Sequence, residues 1–159
     1  MIQSIYETHL QVKDLDQSIA FFEKLGLQLA HRIRERKCAF FFIGNKEQML
    51  GLWEVPAGQE ITKRHFAFGV QLAKLKTSIE WLDNRDIKLA EDFFGREPIE
   101  PIVFTWMPAA SVYFYDPDGN SLEFISLLEG DPLDLSDMLY LSEWDELKKK
   151  EQTKEHINK

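Results

Sequence analysis

At 159 residues the chain is long enough for one domain with a buried core. Its 44% apolar and 13% aromatic content is that of a globular protein. A net charge of −8 argues against nucleic acid and anionic lipid as partners, and no apolar run approaches the length that spans a bilayer. The start, MIQSIYETHLQV, lacks a basic segment leading into an apolar stretch, and the single Cys38 cannot form an internal disulfide. Both features predict a cytoplasmic protein.

The first predicted element is a strand, ETHLQV at 7–12. Leu10 and Val12 share one face of it, and Glu7 and His9 share the other. A helix follows, capped by Asp14 or Asp16, with Ile19, Phe22 and Leu25 as its apolar stripe and Gly26 at its left-handed end. The next strand alternates Arg32, Arg34 and Arg36, a candidate positive face for an anionic substrate. KCAFFFIG and QMLGLWEV then read as paired strands joined at Gly44-Asn45. Pro56-Ala57-Gly58 opens a linker.

After the linker, RHFAFGV at 64–70 places Phe66, Phe68 and Val70 on one face and His65 on the other. A second helix would bury Leu75, Ile79 and Leu82. Residues 91–111 read as a long aromatic loop holding Phe93, Phe94 and Trp106, of a length that often makes a lid or binding element. ASVYFYDPDG and NSLEFISL read as a second strand pair, turning at Asp118-Gly119-Asn120, with Glu123 opposite Leu122 and Phe124. Residues 129–159 form an extension with a short helix, opened by a capping-box-like start at Ser142 and fraying beyond Glu151.

The two halves repeat one another. SIAFFEKLGLQLA (18–30) aligns without a gap on SIEWLDNRDIKLA (78–90), and each reads as a helix turning into a strand. Matching the flanks places Glu7 opposite His65 and Glu54 opposite Glu123. Each half is thus strand–helix–strand–strand–strand, approximately 2–56 and 62–127 within a domain of 1–128. The fold class is α+β. A half alone cannot cover its sheet face, so pairing of halves or of chains is expected.

VKDLDQSIAFFEKLGL (12–27), RHFAFGV and VYFYDPDGNSLEFI (112–125), set in this doubled unit, resemble the vicinal oxygen chelate superfamily of glyoxalases, bleomycin-resistance proteins and dioxygenases. MLGLWE, WMPAASVYF and SEW are similar to a subgroup of uncharacterised bacterial glyoxalase-like proteins. The resemblance implies curved mixed sheets around a cavity, a homodimer, and one divalent metal ion, with Zn, Ni, Mn, Co and Fe all compatible. It implies His65 and Glu123 as ligands, with His9 or Glu7 in the first slot; the fourth slot falls on Glu54 in one gapless alignment and on Leu52 in the other. In the family's first-ligand position stands Glu7, and the histidine comes two residues later. Glu123 would double as the catalytic base, while Arg32, Arg34, Trp106 and Phe94 are candidate substrate contacts. The activity implied is metal-dependent chemistry on a small oxygenated substrate, of the lactoylglutathione lyase or thiol-transferase kind. A metal-free, antibiotic-sequestering binding protein is the alternative.

Overall fold

Alternation along the first strand decides which side of the first sheet is packed. In the computed structural model, which describes residues 1–134 and 138–157, β1 (Glu7–Val12) buries Leu10 and Val12 and leaves Glu7 exposed. It runs parallel to β4 (Gln48–Glu54), which pairs antiparallel with β3 (Cys38–Ile43), and β3 with β2 (Gln28–Ile33). The sheet order is β1-β4-β3-β2. Leu10 pairs with Leu52, and Leu52 with Ala39, so all three face the same way. Helix α1 (Leu15–Lys24) covers that face, with Phe22 against Phe41 at a ring separation of 5.8 Å. Fully burying one such side chain contributes about 1.5–3 kcal/mol.

Asp14 is the cap of α1, its carboxylate accepting from the Gln17 backbone N–H at 2.9 Å. The helix stops where Gly26 turns left-handed, at φ +94. The same ending recurs sixty residues on in sequence. The Leu27 N–H donates to the Phe22 carbonyl at 2.9 Å, and the Ile87 N–H to the Leu82 carbonyl at 3.1 Å. Asp86, at φ +48, takes the left-handed position that Gly26 holds in the first half. The repeat is therefore carried by the backbone as well as by residue type.

The second sheet has the order β5-β8-β7-β6-β9, from β5 (His65–Gly69), β6 (Ile102–Phe104), β7 (Ala109–Tyr115), β8 (Ser121–Leu127) and β9 (Leu139–Tyr140). Phe114 and Phe124 meet at 4.7 Å, and Trp81 from the helical side lies 6.2 Å from Phe124. The chain divides into two units. One is residues 1–65 with 115–121, and the other is residues 66–114 with 122 onward. The fold class is α+β with sheets of four and five strands, as expected.

The second half departs from the expected pattern in three places. Its helix is broken into α2 (Leu72–Leu75) and α3 (Ser78–Asp83). The hydroxyls of Thr77 and Ser78 donate to the carbonyls of Lys74 and Leu75, taking acceptors a continuous helix would use. Leu75 and Leu82 are fully buried, and Ile79 half-buried. The strand expected after this helix is reduced to one bridge, Leu89 to Phe114, and pairing with β7 resumes only at β6. The aromatic segment is thus an insertion, residues 91–101, that interrupts a strand. The remainder of the expected loop is β6, a turn, and the start of β7.

The final helix, α4, runs Leu141–Ile157, past the point where fraying was expected. Its start is not capped by Ser142. Glu143 reaches back to the Tyr140 N–H at 2.7 Å, and Glu100 of the insertion accepts from the Ser142 N–H and hydroxyl at 3.2 and 2.8 Å. Of the C-terminal extension, residues 135–137, 158 and 159 lie outside the described residues.

Candidate functional site

The open face of the first sheet follows from register. Glu7, His9 and Gln11 pair with Met49, Gly51 and Trp53, so all six positions lie on the face away from α1. Glu7 Oε1 and His9 Nε2 are in direct contact. His9 lies across β4, where a methyl group on Gly51 would come within 3.0 Å of its Cδ2 and 3.2 Å of its Nε2. Trp53 stacks beside the imidazole at 5.8 Å, and Phe40 meets it edge-on at 6.2 Å. These groups border an open cleft of about 440 Å³, lined by His9, Leu10, Gln11, Trp53 and Arg64.

Beside this cleft, the Asp116–Ser121 turn is held by a buried carboxylate. Asp116 Oδ1 accepts from the N–H groups of Asp118 and Asn120 at 3.0 and 2.7 Å, and its Oδ2 from the Asn120 amide at 2.7 Å. Burial pushes the Asp116 carboxyl above its ordinary range, while the Asn120 bonds hold the ionised form. Asn120 in turn accepts from the Arg64 N–H at 2.9 Å, and the Ser121 N–H donates to the Arg64 carbonyl. This fixes the next residue, His65, whose Nδ1 is 3.1 Å from Ser121 Oγ.

Glu123 stands two residues beyond Ser121 on β8, on the same face of the strand. It is 5% exposed, and its Oε1 accepts from Ser111 Oγ at 2.5 Å. Tyr113, on the same face of β7 as Ser111, completes the group. Burial first, and then the Glu123 carboxylate to which its hydroxyl bonds, push the Tyr113 phenol well up, so it stays protonated. Phe93 and Phe94 of the insertion meet the Tyr113 ring edge-on at 5.7 and 5.4 Å.

Glu54 occupies the opposite face of β4, paired with Val12. Its carboxylate accepts from the Leu15 N–H at 3.2 Å and from Lys37 Nζ at 2.5 Å. Lys37 first, then the Leu15 bond, hold it below its ordinary range. Arg32 likewise points to the helix side, bonding Asp16 at 2.5 Å, and Arg34 sits exposed in the β2–β3 turn. The expected arginine face is not assembled. Instead the Arg36 guanidinium lies 4.8 Å over Trp53. Trp106 is exposed at the β6–β7 turn, and Phe94 is 59% exposed beside Tyr113.

The sequence reading missed Gly51, Ser111, Tyr113 and Ser121. The last three were legible in principle, since they alternate with Val112, Phe114 and Leu122 on strands already recognised. Within either unit, the described residues do not gather three His, Cys, Asp or Glu side chains that could hold a metal ion. The donor chemistry, imidazole and carboxylate without an accessible thiolate, nonetheless suits a borderline divalent cation. Gly51 leaves room for the imidazole that would supply one donor.

A duplicated βαβββ scaffold with imidazole and carboxylate groups on its open strand faces defines a glyoxalase-fold protein. Residues 4–124 match the family model of the Glyoxalase/Bleomycin resistance protein/Dioxygenase superfamily, and the chain belongs to that superfamily. It is 26% identical over 167 residues to the metallothiol transferase FosB of Staphylococcus saprophyticus, covering 98% of this chain and all of that one. Among solved structures, it resembles an integron cassette protein from the mobile metagenome of the Halifax Harbour sewage outfall. That likeness has 27% identity and a TM-score of 0.67, covering 79% of this chain and 100% of the other. A glyoxalase/bleomycin resistance protein/dioxygenase from Nocardioides is 26% identical with a TM-score of 0.61, covering 86% and 91%. Among the described residues, no helix is long and apolar enough to cross a membrane.

Proposed function

We propose that the chain is a metal-dependent enzyme acting on a small oxygenated molecule, with His65, Glu123 and one of His9 and Glu7 as the ligands of a divalent ion. The observation that carries this reading is the His9–Glu7 pair, with His9 over Gly51 and beside the Trp53 and Phe40 rings on the open face of the first sheet. Both side chains remain open to solvent at the mouth of the cleft, where an ion could reach them. Full-length similarity to a metallothiol transferase supports it. The ion would act as a Lewis acid on a carbonyl, enediolate or epoxide oxygen.

The chain's own residues have separate tasks. Ser111 orients the Glu123 carboxylate through Oε1. Glu123 moves a proton between adjacent carbons in a lyase reaction, or takes one from an attacking thiol in a transferase reaction. Tyr113, held protonated, donates a hydrogen bond and stabilises negative charge nearby. Arg64 lines the cleft and Arg36 lies over Trp53 of its wall, and their positive charge suits an anionic substrate. The enzyme works in the cytoplasm as a homodimer in this reading.

The competing reading, a metal-free binding protein, draws on Trp53, which lines the cleft, with Phe40 packed beside His9. Turnover separates the two. Metal-loaded protein is assayed with methylglyoxal–thiol hemithioacetals and with small epoxides plus a thiol. Activity abolished by chelator and restored by Mn²⁺, Ni²⁺ or Zn²⁺ is expected. Tight stoichiometric ligand binding by chelator-treated protein, without turnover under any metal, would favour the sequestering protein.

A further inference from the structure

The insertion at 91–101 opens with a tight turn whose tip is a strained aromatic. Phe93 and Arg96 exchange backbone hydrogen bonds at 2.8 and 3.2 Å. Between them Phe94 has φ +55 and Gly95 φ +85. A left-handed conformation costs a bulky side chain energy, so something must hold Phe94 there. Asp92 accepts from the Gly95 N–H at 2.8 Å. The larger restraint comes from the C-terminal segment. Arg96 bonds Glu143 at 2.7 Å and stacks on Tyr140 at 4.3 Å. The Tyr140 hydroxyl donates to the Glu97 carbonyl at 3.1 Å, and β9 adds a strand to β6. Glu100 caps α4 from the insertion side. The outcome is a ring held edge-on to Tyr113, which bonds Glu123, while its other surface stays open to solvent.

We propose that Phe94 is a specificity residue that contacts an apolar group of the ligand beside the atoms engaged by Glu123, and that Arg96 is its positioning residue, clamped by β9 and α4. The proposal rests on the reading of Glu123 as part of the active site. It assigns the substrate an apolar substituent next to its oxygen-rich end, and it gives the C-terminal extension a function. The open surface of Phe94 explains why a strained, exposed aromatic is retained where a small polar residue would satisfy the turn. Solvent-facing φ > 0 positions otherwise favour Gly, Asn or Asp.

Two measurements on the full chain test it. The first is amide hydrogen exchange in metal-free protein. Arg96→Ala should speed exchange of the Phe93 and Arg96 amides by about tenfold or more, with β7 and β8 unaffected. Arg96→Lys should recover part of that protection by keeping the charge near Glu143. Unchanged exchange in Arg96→Ala overturns the clamp.

The second uses Zn²⁺-loaded protein and two chelating probes, benzohydroxamate and acetohydroxamate, which differ only in the apolar group. Wild type should prefer the benzo form, and Phe94→Ala and Arg96→Ala should each cut that preference by about tenfold. A preference unaltered in Phe94→Ala overturns the specificity role. Failure of both probes to bind wild type would count against the metal site itself, and the exchange experiment would still decide the clamp.

Discussion

The His9 imidazole lies directly over Gly51, in a space that any side chain at position 51 would fill. Two strands paired in parallel register thus give up one side chain so that the other can lie flat between Trp53 and Phe40. Gly51 has an ordinary strand φ, so alanine there is unstrained apart from this contact and one with Phe40 Cε1 at 3.2 Å. Gly51→Ala should therefore displace His9 while leaving the fold stable. Divalent-metal affinity, measured by calorimetric titration, should fall by about tenfold or more. The thermal midpoint should move by only a few degrees.

Glu54 gives the opposite expectation. It caps α1 and pairs with Lys37 on the helix side of β4. Glu54→Ala should cost about 1 kcal/mol in denaturant unfolding and leave metal affinity unaltered. The folded-state carboxyl titrates below its ordinary value of 4.5. Its contribution is therefore full above that value and is lost as pH falls through the depressed one. The difference between wild type and variant should shrink in acid.

Tyr113 sets an alkaline limit. In the unfolded chain its phenol titrates near the ordinary value of 10.0, whereas burial and Glu123 hold it protonated in the folded state. The folded state then binds more protons than the unfolded one, so stability falls as pH rises past that value. Tyr113→Phe should flatten this slope above about pH 10, measured by denaturant midpoints. The variant should also lose catalytic rate without a change in metal stoichiometry.

Assembly is tested by light scattering. The exposed Ile2, Ile5 and Tyr6 ahead of β1, with Trp106 and Leu127 on the other unit, leave apolar surface for a second copy. The expected mass is twice the 18.7 kDa of one chain. A monomer at micromolar concentration would remove this expectation.

Much of the scaffold was legible because strands such as β1 and β8 announce their packed face by period-two alternation, as in Leu10/Val12 and Leu122/Phe124. The internal repeat then tied the two halves together, down to the paired helix endings at Gly26 and Asp86. The side to which each candidate residue turns was less legible. Arg32 and Glu54 alternate correctly in sequence, but register turns them toward α1, where Asp16 and Leu15 use them structurally. An irregularity in the β2–β3 pairing between Leu29 and His31 helps set which residues of β2 face the helix, and sequence alone carries no sign of it. The broken second helix depends on two hydroxyls winning local competition for carbonyls, a matter of small energies. The role of Gly51 becomes visible only once β1 and β4 are paired.

The most direct test of the central claim is equilibrium dialysis of the full chain against Mn²⁺, Ni²⁺ or Zn²⁺, repeated on His65→Ala and Glu123→Gln. About one ion per wild-type chain, lost in both variants, is the predicted result. No binding by wild type, or binding that survives both substitutions, would contradict it.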